Sequence, residues 1–66
     1  MESEWVVIAG YADEFICQIA VDLLIDNGIE AVAIDKREKI YGINGVIELC
    51  VHRDNVIVAK EIIKDI

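Results

Sequence analysis

Three side chains able to bind a metal or move a proton, Glu48, Cys50 and His52, recur at every second position of the run Val46 to His52. In an extended strand that spacing sets them on one face. Same-face neighbours lie about 7 Å apart, so three in a straight row do not converge on one ion and no metal site is expected. The row instead predicts Cys50 in an interface and His52 at a strand end beside the start of a helix. Cys17, the only other cysteine, falls in a helical segment packed against the opposite sheet face, so no Cys17–Cys50 bridge is expected.

A second candidate is the stretch Asp35 to Gly45, DKREKIYGING, in which Lys36, Arg37 and Lys39 adjoin Tyr41, Gly42, Asn44 and Gly45. Amides exposed by a glycine-rich turn, with cationic side chains beside them, can cradle an anion. Asp35 and Glu38 offset much of that charge, and neither a Walker A sequence nor a spaced-glycine dinucleotide fingerprint is present. The acidic row Glu14, Gln18, Asp22 and Asp26, at i, i+4 spacing, reads as the solvated face of a helix. The single histidine has no nucleophile at a credible spacing, and carboxylates on an exposed helix are not tuned as acids or bases. Neither enzymatic activity nor a cofactor is expected.

The elements that hold these residues follow from hydropathy and turn chemistry. Trp5 to Ala9, WVVIA, is too short for a helix and reads as a strand, with Trp5, Val7 and Ala9 on one face and Val6 and Ile8 on the other. Either face can be the inner one. Asp13 is placed to N-cap a helix that Asn27-Gly28 ends, with Ile16, Ile19, Ala20, Leu23 and Leu24 as its buried stripe and Cys17, Val21 and Ile25 as a partly exposed ridge. Ile29 to Ile34 forms a second strand, its alanines leaving room for a helix to approach. In the third strand, Val46 to Val51, Ile47, Leu49 and Val51 point inward and Val46, Glu48 and Cys50 outward, with His52 following on the outer side. From Arg53 a helical period returns, with Val56, Ala59, Ile62, Ile63 and Ile66 on one side and Lys60, Glu61 and Lys64 largely on the other. The order is β-α-β-β-α in one domain spanning residues 1–66. It predicts an α+β fold, a three-stranded antiparallel sheet of order 1-3-2 with two helices on one face. That is the split, right-handed β-α-β arrangement of ferredoxin-like folds without their fourth strand.

In its packing and turn positions the chain resembles a family of small bacterial domains of unknown function, named for a suspected role in prokaryotic signal transduction and similar to ferredoxin-like or PII-like half folds. The resemblance covers nearly the whole chain. It rests on Trp5-Val6-Val7-Ile8, Asp13, Leu23-Leu24 with Asn27-Gly28-Ile29, Gly45-Val46 with Leu49 and Val51, and Ala59 with Ile62-Ile63. Ile16-Cys17 stands where the family often has Glu-Ala, so no capping box forms with Asp13, and the Asp35 to Gly45 segment is shorter than in many members. The resemblance implies a fold and a bacterial setting, and no activity.

Thirteen acidic against six basic residues give a net charge of -7, which repels nucleic acid and anionic lipid. No apolar run approaches the ~20 residues of a membrane span. With two cysteines and no secretory leader pattern, a cytoplasmic protein with reduced thiols is expected. Yet 56% of residues are apolar. Val32, Ile34, Val46 and Cys50, with either Trp5 and Val7 or Val6 and Ile8, would form an uncovered apolar sheet face. The expected protein is therefore a non-enzymatic regulatory or protein-interaction module. It forms a homodimer through that face, through the free edge of strand one, or both, and its surface also suits another protein partner. The alternative is a sensor of a small anionic metabolite at the Lys36 to Gly45 loop.

Overall fold

A computed structural model of the chain describes residues 4–37 and 45–66. Strand β1 (Trp5–Tyr11) leads to helix α1 (Glu14–Asp26), strand β2 (Ala31–Asp35), strand β3 (Ile47–His52), a 3-10 turn (Arg53–Asn55) and helix α2 (Val56–Ile63). The sheet order is β1-β3-β2 with both pairings antiparallel. This is the α+β, β-α-β-β-α architecture the sequence predicts.

Local chemistry fixes the ends of α1. The Asp13 carboxylate accepts a hydrogen bond from the Phe15 N–H at 2.8 Å, satisfying one of the free amides of the first turn. At the other end Gly28 takes φ +80°. The Gly28 N–H then reaches the Ile25 carbonyl and the Ile29 N–H the Leu24 carbonyl, both at 2.9 Å. This double closure is a Schellman motif, and the apolar contact that accompanies it pairs two buried residues, Leu24 and Ile29. The chain thus leaves the helix already aimed into β2.

The core lies between the sheet and the helices. Leu49 and Val51 of β3 and Leu24 and Ala20 of α1 are fully buried, with Ile47, Ile29, Ala59 and Ile63 around them. The inward set of β3 is the one its alternation predicts. The stripe of α1 is not. Cys17, Ala20, Val21 and Leu24 are buried, whereas Ile16, Ile19 and Ile25 are exposed and Leu23 is only half-buried. The helix is rotated about its axis from the expected orientation. Its inner side carries the smaller residues, which let α1 settle close against β2 and its Ala31. Isoleucines there would hold the two layers apart.

β1 departs from simple alternation as well. Val6 pairs with Val51 and Val7 with Cys50, but the next partner of β3, Leu49, pairs with Ala9. Ile8 is the extra residue of a bulge. Trp5 and Val7 therefore share the outer face with Cys50, while Ala9, expected beside them, packs with Ile8 against the core. The strand also runs two residues further than expected, to Tyr11.

Candidate functional site

The outer face of the sheet is assembled row by row from the register. In the middle row Cys50 lies between Val7 and Val32. Toward one end Glu48 lies between Gly10 and Ile34. Because Gly10 has no side chain, Val46 lies over it, its methyl group 3.0 Å from where a Cβ would sit. Toward the other end Trp5 pairs with His52, whose Nε2 is 3.3 Å from Glu30 Oε1. Of the two pairs open for β1, it is Trp5 and Val7 that share one face with Val32, Ile34, Val46 and Cys50.

Val7, Val32, Ile34 and Val46 are between 40% and 49% exposed, whereas Cys50 is 3% exposed. No layer of this chain's described residues covers them. Cys50 lies on the central strand between Val7 and Val32, a position that suits a small thiol. Burial pushes the Cys50 thiol above its ordinary value, and Glu48 adds to the rise. A protonated, buried thiol is a weak nucleophile. Cys17 is likewise raised by burial, and both thiols are free.

The charged groups near the expected anion site are already engaged. Arg37 Nη2 lies 2.8 Å from Asp35 Oδ2 and 3.3 Å from Glu14 Oε2, and Arg37 Nε donates to Asp35 at 3.0 Å. These hydrogen bonds, that to Asp35 first, hold the guanidinium above its ordinary value. Arg37 so ties the exit of β2 to the first turn of α1. Lys36 Nζ approaches Glu48 Oε1 at 3.8 Å, and its backbone N–H donates to the Val46 carbonyl at 3.0 Å. Lys39, Tyr41, Gly42 and Asn44 lie outside the described residues; Gly45 is half-buried against the Lys36–Arg37 backbone.

Glu48, Cys50 and His52 do share a strand face, but among the described residues no three His, Cys, Asp or Glu side chains are grouped to hold a metal ion. His52 instead meets Glu30, a partner the strand pattern alone does not reveal because it belongs to the turn before β2. The acidic row of α1 is exposed throughout, with Gln18 Nε2 donating to Asp22 at 2.8 Å.

These features define a small two-layer α+β module with one sheet face open. No described helix is long and apolar enough to cross a membrane. No family model matches the chain, and no curated protein or solved structure matches it significantly.

Proposed function

We propose that this chain is a non-enzymatic regulatory or protein-interaction module of the bacterial cytoplasm that self-associates through its outer sheet face. The observation that carries this reading is the row of half-exposed β-branched side chains, Val7, Val32, Ile34 and Val46, on a molecule only 14 Å across its shortest dimension. Fully burying one such side chain is worth ~1.5–3 kcal/mol, so covering the exposed half of each contributes about 1 kcal/mol. Four from each of two copies give roughly 8 kcal/mol, against an association cost of ~4–15 kcal/mol. The face alone thus supports a weak dimer that forms and parts with concentration, as suits a regulatory contact. Trp5 at the margin adds to it. The free edge of β1 is the less favourable route, because the bulge at Ile8 interrupts a straight edge and blunts pairing.

The test is molar mass by sedimentation velocity across a dilution series with reductant present. A monomer–dimer equilibrium is expected, with a Kd of about 1 mM from the face alone at the low end of the association cost and a lower one to the extent that Trp5 adds to it. A chain that stays monomeric at millimolar concentration would sink self-association.

A further inference from the structure

The helix layer presents a second uncovered surface, on the side away from the sheet. Phe15, Ile19, Asp22 and Asp26 recur along α1 at i, i+4, i+7 and i+11. At 100° per residue that spacing sets them in one ridge, opposite the buried Cys17, Ala20, Val21 and Leu24. Phe15 is 76% and Ile19 57% exposed. The ridge is therefore divided lengthwise into an apolar half nearer the N-terminus and an acidic half nearer the C-terminus.

Both halves are held at a cost. Large apolar side chains point into water in the first. In the second, Asp26 sits in the last turn, where the helix dipole disfavours negative charge, and no basic residue of that turn offsets it. Among the described residues no Lys, Arg or His forms an ion pair with Asp22 or Asp26. α1 itself contains no basic residue. A cation laid against the last two turns would relieve the charge, and an apolar side chain against the first two would cover Phe15 and Ile19.

We propose that this ridge docks an amphipathic helix of another protein, one whose contacting stripe is apolar over one half and rich in Lys or Arg over the other. The ridge from Phe15 to Asp26 spans about 16 Å, so three turns of the partner suffice. A second copy of this chain does not match. Because β1 and β2 both run opposite to β3, the following helices α1 and α2 run in opposite senses. A two-fold axis that lays one helix layer on another then sets α1 antiparallel to α1 or to α2 of its mate, or parallel to its own copy. The first arrangement puts Phe15 and Ile19 against Asp26 and Asp22. The second puts them against the half of α2 that carries Lys60 and Lys64. Both leave apolar groups facing charge, and the parallel pairing sets Asp22 and Asp26 against their own copies, like charge on like. Nucleic acid is repelled by the net charge of -7. The ridge faces away from the open sheet, so its occupancy is independent of whether copies pair there.

The test uses the full chain and a fluorescein-labelled synthetic helix bearing two leucines and two lysines at the i, i+4, i+7, i+11 spacing on an Ala/Gln background. A control peptide of the same composition has its lysines on the opposite face. Fluorescence anisotropy should show saturable binding about tenfold tighter than to the control. Phe15→Ser and the double change Asp22→Asn/Asp26→Asn should each weaken it by about tenfold. Added salt should weaken binding by the wild type but barely affect the double variant. Val32→Asp should bind as the wild type does, separating this surface from the sheet face. Equal affinity for both peptides, an unaltered Phe15→Ser titration, or loss of binding on Val32→Asp would each overturn the proposal. So would partition of the wild type, lost on Phe15→Ser, onto zwitterionic phosphatidylcholine vesicles, which would assign the ridge to a lipid surface.

Discussion

Trp5 stacks on His52 across the β1–β3 pair, with ring centroids 4.1 Å apart and planes 28° from parallel. The pair closes one end of the outer sheet face, where the Arg53 N–H also donates to the Glu4 carbonyl at 2.8 Å. Cross-strand aromatic pairs contribute ~0.5–1.5 kcal/mol beyond the area they bury. His52→Ala should lower unfolding stability by about that amount, and remove a contact from the single tryptophan. Urea titration followed by Trp5 fluorescence measures both, and a variant with unchanged midpoint and native emission would show the stack to be incidental.

The rotation of α1 makes a sharp prediction about which aliphatic residues matter. Leu24 is fully buried and Ile19 is exposed on the opposite side of the helix. Leu24→Ala should cost ~2–5 kcal/mol, comparable with the ~3–5 kcal/mol a core of this size supplies, so the variant should be largely unfolded at 25 °C. Ile19→Ala should change stability by no more than about 0.5 kcal/mol. Thermal melts by circular dichroism decide the matter; equal losses at the two positions would return the helix to the orientation read from the sequence.

Gly28 adopts φ +80° with open space where a Cβ would point. Gly28→Ala therefore meets no clash with a neighbour, and its cost is that of the left-handed backbone alone, ~1–2 kcal/mol. A loss well above that would mean the Schellman closure, rather than the residue's own torsion, had failed.

On the sheet face, Val32→Asp and Val46→Asp place a carboxylate among half-exposed valines without touching the core. Each should abolish dimer formation at concentrations where the wild type pairs, while the melting temperature of the monomer moves by only a few degrees. Sedimentation velocity of wild type and variants at matched concentration is the measurement, and a dimer that survives both changes would point to the β1 edge instead.

Alkaline pH should weaken the fold. Burial raises the Cys17 and Cys50 thiols above their ordinary 9.0, and the Tyr11 phenol, near Cys17, above 10.0. Each is an acid whose charged form the folded state disfavours. Its contribution is complete below the unfolded value and is lost as pH rises toward and through the higher folded value. The urea midpoint should therefore fall above about pH 9, and Cys50→Ala should soften that fall. Matching declines for the two proteins would argue against a buried Cys50.

Much of this architecture is written locally. Asp13, Asn27-Gly28 and the alternation of β3 act over a few residues each, so they are legible without knowing what packs on them. The orientation of α1 is not of that kind. Large apolar residues surround much of that helix, and hydrophobicity alone favours Ile16 and Ile19 over Cys17 and Val21 as its buried set. The deciding term is the close approach permitted by small side chains, which depends on Ala31 opposite. The bulge at Ile8 left no trace either, since no glycine marks it and both Ile8 and Ala9 suit a core. The outer face was legible on β2 and β3, where the alternation of β3 sets the parity and Val32 and Ile34 follow; on β1 the sequence left Trp5 and Val7 level with Val6 and Ile8, and only the pairing of Val7 with Cys50 decides between them. The acidic half of the α1 ridge was visible as a wet row, but its apolar half emerged only once Ile19 proved to point outward.

Cys50 has a further use. It is buried between Val7 and Val32, with no layer of the described residues above it. In a lone chain, a thiol-alkylating reagent reaches it when an edge strand swings off β3, an excursion smaller than complete unfolding. Cys17 lies in the core and is reached only when helix and sheet part. The labelling rates of the two under native conditions therefore act as two internal clocks, one timing the fraying of the sheet margins and the other the opening of the whole molecule.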